Sequence, residues 1–385
     1  CQAKEAAMFT AALGYFETGL TILPGNAWEK NHELAFKLSC QYLECLYLCG
    51  DVEAGDEYYK KLEQMITAEL ERTQLHLIKI LFATKKGFNK EAIDIGLKGL
   101  QELGCYFPKN PSLPYLAWEF LKMELILRRG GVKRLRAVAP AVDPKQEAIY
   151  NLFIAMGPCV YNLDEKLLLA LSLKTCELSL QCGGFANSAS AYMTLAMVYI
   201  VKFRNFKWGL ALSQSALELA NKYSTDADKA LVYFLYGAFC LPWLEHVREA
   251  TAYLEQATTC GFGVCDLTVA GYAMTLQVIN HHFQGMALAE LGREIEHNLA
   301  FAPKVKDPYY RHTLTIYRQL VRCLQGRTQC ADSFSDETVQ EEDFESEKIS
   351  DINAEVILKT KQMGGLIQYM NTFYSNDYLP MQKRS

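Results

Sequence analysis

The chain has 385 residues, half of them hydrophobic, with 39 basic and 44 acidic side chains and a formal net charge of −5. That length exceeds what one compact helical bundle needs, and the near balance of charge excludes the basic stripe of a nucleic-acid binder and the polybasic patch of a membrane-surface protein. The thirteen cysteines are scattered singly with no CxxC, which argues against a secreted disulfide framework and predicts reduced thiols packed in a cytoplasmic protein.

Taken from the start, apolar residues at Ala7, Met8, Ala11, Ala12, Tyr15, Phe16, Leu20 and Leu23 recur at helical spacing. They predict a helix over 3–23, stopped by Pro24-Gly25-Asn26. Further helices are predicted over 31–49, 52–70, 73–86 and 90–103, with Gly50, Gly87 and Gly104 as stops. Three prolines between Phe107 and Pro114 predict a loop. The most apolar run, Ala191 to Val201, ends at Lys202 and is too short to span a bilayer. No charged-then-apolar signal segment opens the chain, and with Cys1 in first place it is expected to be a piece of a longer protein. Asn-Gly and Asp-Gly hairpin turns are absent, so no strand pair is predicted.

Four turns share a shape: GDVEAG (50–55), GFNKEA (87–92), RNFKWG (204–209) and EHVREA (245–250). Each places a small residue sixth, at Gly55, Ala92, Gly209 and Ala250, where paired helices of tetratricopeptide-like (TPR-like) repeats approach closely. The first two are 37 residues apart and the last two 41, longer than the ideal period of about 34. The expected fold is therefore all-α, a right-handed superhelical array of antiparallel helix pairs (a TPR-like α-solenoid) over 1–325. Between Gln325 and Asp351 nine acids face only Arg327 and Lys348, which predicts an acidic, solvated linker over 326–350. A C-terminal helix and tail follow over 351–385. Its stretch from Ala354 to Phe373 carries Val356, Ile357, Met363, Leu366, Ile367 and Met370 and must bury a face.

Catalytic signatures are missing. Gly14 and Gly19 have phosphate-loop spacing, but Leu20 stands where the lysine must be. His32-Glu33-Leu34 resembles a phosphoacceptor box without the ATP-binding domain such a box needs, so His32 is read as a surface or groove residue. Adjacent His281 and His282 point about 100° apart on a helix, so no metal is expected there, but one buried and one exposed ring. Cys40, Cys45 and Cys49 lie along one helix without a second ligand pair and are read as core packing. No catalytic residue, metal or cofactor is expected.

Three stretches resemble a known family. They are YFETGLTILPGNAWEKNHELAFKLSCQYLECLYLCGD (15–51), EAIDIGLKGLQELGCYFP (91–108), and the run from CGGFANSASAYMTLAMVY (182–199) to WLEHVREATAYLEQATTCGFGVCD (243–266). They are similar to the TPR-like segment of large signalling proteins that join a Ser/Thr-kinase-like domain, a STAND (AAA-type) ATPase and a GAF–histidine-kinase tail. The likeness runs over about residues 10–325 and departs where Cys265-Asp266 replaces Gly-Asp and where Val201-Lys202 replaces a glycine. It implies a regulatory segment without the activities of its neighbours.

Two functions follow as expectations. One is a non-catalytic scaffold that binds protein partners or adjoining domains of the same polypeptide and relays regulation, without nucleic acid or membrane. The other is a sensor that holds a small molecule in a groove between repeats. Asn187, Tyr192, Trp243, His246 and Arg248 are the candidate contacts. For Trp208, Trp243, Tyr192 and Phe206, aromatics beside turns, packing competes with a partner-binding groove.

Overall fold

The computed structural model describes residues 2–5, 8–131, 143–182, 188–305, 308–329 and 333–340, and every regular element among these residues is helical. The chain is all-α. It divides into two compact units, one formed by 1–117, 141–171 and 181–183, the other by 118–140, 172–180 and 184–385.

The first unit holds α1 (Gln2–Glu5), α2 (Phe9–Ile22), α3 (Ala27–Lys30), α4 (His32–Cys49), α5 (Val52–Met65), α6 (Glu69–Lys85) and α7 (Asn89–Glu102). It also takes the start of α8 (Leu113–Ile126), all of α9 (Pro144–Leu163) and much of α10 (Glu165–Cys182). Its helices pack chiefly against sequence neighbours, α2 on α4, α4 on α5 and α6 on α7, with α9 against both α6 and α7. Leu43, Leu62 and Leu75 are fully buried among them. Tyr47 stacks on Phe82 with centroids 4.0 Å apart, and the buried Lys79 ammonium bridges Asp56 at 2.6 Å and Glu91 at 3.1 Å beside both rings. Burying that lysine is tolerable because two carboxylates compensate it.

The second unit contains α11 (Ser188–Val201), α12 (Phe206–Tyr223), α13 (Asp226–Leu235), α14 (Val247–Gly263), α15 (Leu267–Phe283), α16 (Leu288–Val305) and α17 (Pro308–Leu324). Helix α11 is apolar on every side and buried along most of its length, as a helix without a polar face must be. Cysteines pack as small apolar groups in both units: Cys40, Cys45, Cys159, Cys176, Cys240 and Cys323 are buried and unbridged. No described helix is long and apolar enough to cross a membrane.

The four hexads share one local geometry. Each begins a helix at its third residue: Val52, Asn89, Phe206 and Val247. Each buries its sixth, Gly55, Ala92, Gly209 and Ala250. At Gly55 a Cβ would sit 2.5 Å from Tyr47 Cε1, and at Gly209 2.2 Å from Ile200 Cγ1, so only a hydrogen fits against the preceding helix. In three of the four the second residue caps the helix: Asp51 Oδ1 accepts from Ala54 N, Asn205 Oδ1 from Trp208 N, and His246 Nδ1 from Arg248 N. A fifth turn, CDLTVA (265–270), matches. Cys265 is left-handed at φ 58°, Asp266 Oδ1 accepts from Val269 N, α15 starts at Leu267, and Ala270 is fully buried.

Three sequence expectations change. The helix predicted over 52–70 breaks at Ile66, whose backbone is extended while its side chain enters the core. The apolar rows of α5 and α6 meet at that residue, so the pattern runs on where the backbone does not. His281 and His282 are both half-buried, because His281 Nδ1 pairs with Glu294 at 2.8 Å and His282 lies edge-on to Tyr317. The third change falls in the acidic stretch. Residues 333–340 are not a solvated loop throughout: Phe334, Ser335 and Asp336 are buried, and Phe334 joins the core that includes Leu314 and Leu320. Gln319 Nε2 donates to Phe334 O at 2.7 Å and Asp336 Oδ2 at 2.8 Å, and Arg322 Nε reaches the same carboxylate at 3.0 Å. The rest of the acidic stretch beyond Gln340, and the helix expected from Ala354 to Phe373, lie outside the described residues.

Candidate functional site

The turn before α12 and the turn before α14 meet on the surface of the second unit. Arg204 opens the first with a left-handed backbone, φ 52°, and Asn205 closes it by capping α12. The second turn is longer. Helix α13 loosens into a π turn over Tyr236–Cys240, and Pro242 sets a single 3₁₀ turn over Leu241–Trp243. That turn projects Trp243, which is 48% exposed. The Arg204 guanidinium lies 4.2 Å from the Trp243 ring centroid. At an exposed position such a contact stabilises by about 0.5–1 kcal/mol and fixes both side chains in one orientation.

His246 follows three residues later. Because its Nδ1 accepts the Arg248 amide, the neutral ring carries its proton on Nε2. Arg248 itself is exposed. Phe203, Phe206 and Leu210 add exposed apolar surface along the first turn, and Lys202 and Lys207 are exposed beside them. Phe203 also packs on Phe120, which anchors that end of the turn. The result is a patch of aromatic rings among guanidinium and ammonium groups. It offers stacking area, forked hydrogen-bond donors and positive charge. It lacks a nucleophile–base pair.

Three of the five sequence candidates, Trp243, His246 and Arg248, fall in this patch. Tyr192 does not: it is 0% exposed, and its phenol lies 2.5 Å from Ser179 Oγ, which also meets Ser188 Oγ at 2.8 Å. Burial pushes that phenol up, and its place is structural. Asn187 lies outside the described residues. Arg204 was missed. Its place at the first position of RNFKWG was visible in the sequence, but its contact with Trp243 was not.

His32 is on the surface of the first unit, its Nε2 2.8 Å from Glu71 Oε1. The hydrogen bond to Glu71 raises its pKa. Among the described residues no group of three or more His, Cys, Asp or Glu side chains is placed to hold a metal ion.

No family model matches the chain. Over 318 residues, 75% of its length, it is 19% identical to hybrid signal transduction histidine kinase G of Dictyostelium discoideum. The match spans 9% of that protein. A distant likeness to a signalling protein is thus what comparison adds to the all-helical fold.

Proposed function

We propose that the chain is a non-catalytic, TPR-like helical-repeat scaffold. It binds a protein partner or an adjoining domain of its own polypeptide and relays regulation within a larger signalling protein. One observation carries the reading: the stacked Arg204–Trp243 pair and neighbouring Arg248 stand exposed on rigid helix-entry turns. Tryptophan and arginine dominate the energetics of protein interfaces, and presentation from capped turns lowers the ordering cost of binding. The recurring hexad geometry supports a repeat array, and the match to a signalling histidine kinase supports the setting. In that setting the ATPase and sensor-kinase activities belong to other parts of the polypeptide.

The test is direct binding, by calorimetry, between residues 1–385 and each polypeptide segment encoded on either side. We expect one segment to bind and Trp243→Ala to weaken it by about 2 kcal/mol without shifting the melting temperature. Binding that Trp243→Ala leaves unchanged, or no binding to either segment, contradicts the proposal.

A further inference from the structure

A groove of about 370 Å³ opens in the first unit between α2–α3 and α5, with α4 as its floor. This is toward the small end of the range for ligand pockets. Its walls are aromatic: Trp28, Tyr42 and Tyr58, the last two edge to face at 5.0 Å, with Leu62 and Met65 beside them. The Ser39 hydroxyl at the floor is buried and makes no hydrogen bond of good geometry, with the Tyr58 phenol beside it as its nearest partner. A buried hydroxyl without a well-aligned bond is costly to keep, and an occupant that bonds to it recovers part of the loss. Glu17 and Lys61 also line the groove, opposite in charge and neither in an ion pair among the described residues. A ligand with net charge would meet one of them unfavourably, whereas one bearing both signs suits both.

We propose that this groove binds a small zwitterionic aromatic molecule, of the class of a free aromatic amino acid. Its ring lies against Trp28, Tyr42 and Tyr58, a polar group bonds Ser39, and its amine and carboxylate face Glu17 and Lys61. The inference is independent of the partner surface, whose residues belong to the other unit.

Calorimetric titration of the full chain with L-tryptophan, tryptamine and indole-3-acetate tests it. L-Tryptophan should bind one to one, and the two singly charged probes about fivefold more weakly. Ser39→Ala should weaken L-tryptophan by about fivefold while leaving the melting temperature unchanged or higher, since it removes a poorly bonded buried hydroxyl. Met65 is exposed at the groove, so Met65→Lys should block binding and melt like the parent chain. The proposal falls if no probe saturates at millimolar concentration, if all three bind equally, or if both variants bind like the parent. It falls equally if a tryptophan-containing peptide binds and the free amino acid does not, because the groove then serves a protein partner.

Discussion

At Gly209 a single methyl group would arrive 2.2 Å from Ile200 Cγ1, and Ile200 is itself fully buried. Gly209→Ala should therefore destabilise the fold by about 1–3 kcal/mol through overpacking, read as a lower urea midpoint at unchanged slope. The reverse substitution is informative at Cys265, which is exposed and left-handed at φ 58°. Cys265→Gly should raise stability by about 1 kcal/mol by relieving that strain, with the extra freedom of glycine offsetting part of the gain. Loss of stability in the second variant, or none in the first, would show the hexad register to be wrong. The small sixth positions were readable in the sequence because side-chain size is itself the steric requirement. Ala270 escaped although its hexad, CDLTVA, carries the same small sixth residue and a capping aspartate in second place. Tyr192 was misplaced because an aromatic beside a turn looks the same whether its ring faces solvent or the neighbouring helix.

Between elements, two polar junctions carry pH dependence. His76 of α6 is fully buried, with Nδ1 2.8 Å from Tyr59 Oη on α5 and Nε2 3.2 Å from Glu102 on α7. Glu63 and Lys98 stand beyond these, and Arg72 reaches Glu102 at 3.7 Å. Desolvation lowers the His76 pKa despite the two carboxylates. The unfolded chain then binds more protons than the folded one below about pH 6.5, so stability falls as pH drops through that value. His282 acts in the same direction, so His76→Gln should flatten the slope of stability against pH between 5 and 7 without abolishing it. An unchanged slope would refute the assignment. The second junction is Asp336. Burial raises its carboxyl, but donors from Gln319, Thr338 and Val339 outweigh that and hold it well below the usual carboxylate range. Its contribution is present above the unfolded value near 4 and is lost only as pH falls toward the folded one. Asp336→Ala should cost about 2–3 kcal/mol and speed tryptic cleavage after the exposed Arg327. Resistance equal to the parent chain would mean that residues 333–340 are held otherwise. Helix ends marked by glycine were legible, whereas this docking was not. Composition averages nine acids over the stretch, and one carboxylate with converging donors reverses the outcome for its neighbours.

For the whole molecule, periodicity, small positions and the missing hairpin turns made an all-helical chain legible. The proposed partner surface was only half legible. Trp243, His246 and Arg248 stand close in sequence, but Arg204 joins them through folding, about forty residues away, and only coordinates reveal that contact. The central proposal is that the chain acts by binding through this surface. Hydrogen–deuterium exchange of residues 1–385, free and saturated with the adjoining segment that binds, tests it most directly. The account requires slower exchange in peptides covering 202–210 and 243–249, lost with Arg204→Glu, while exchange across the rest of α11 to α14 stays within error. Protection confined to other peptides, or no protection anywhere at saturation, would contradict it.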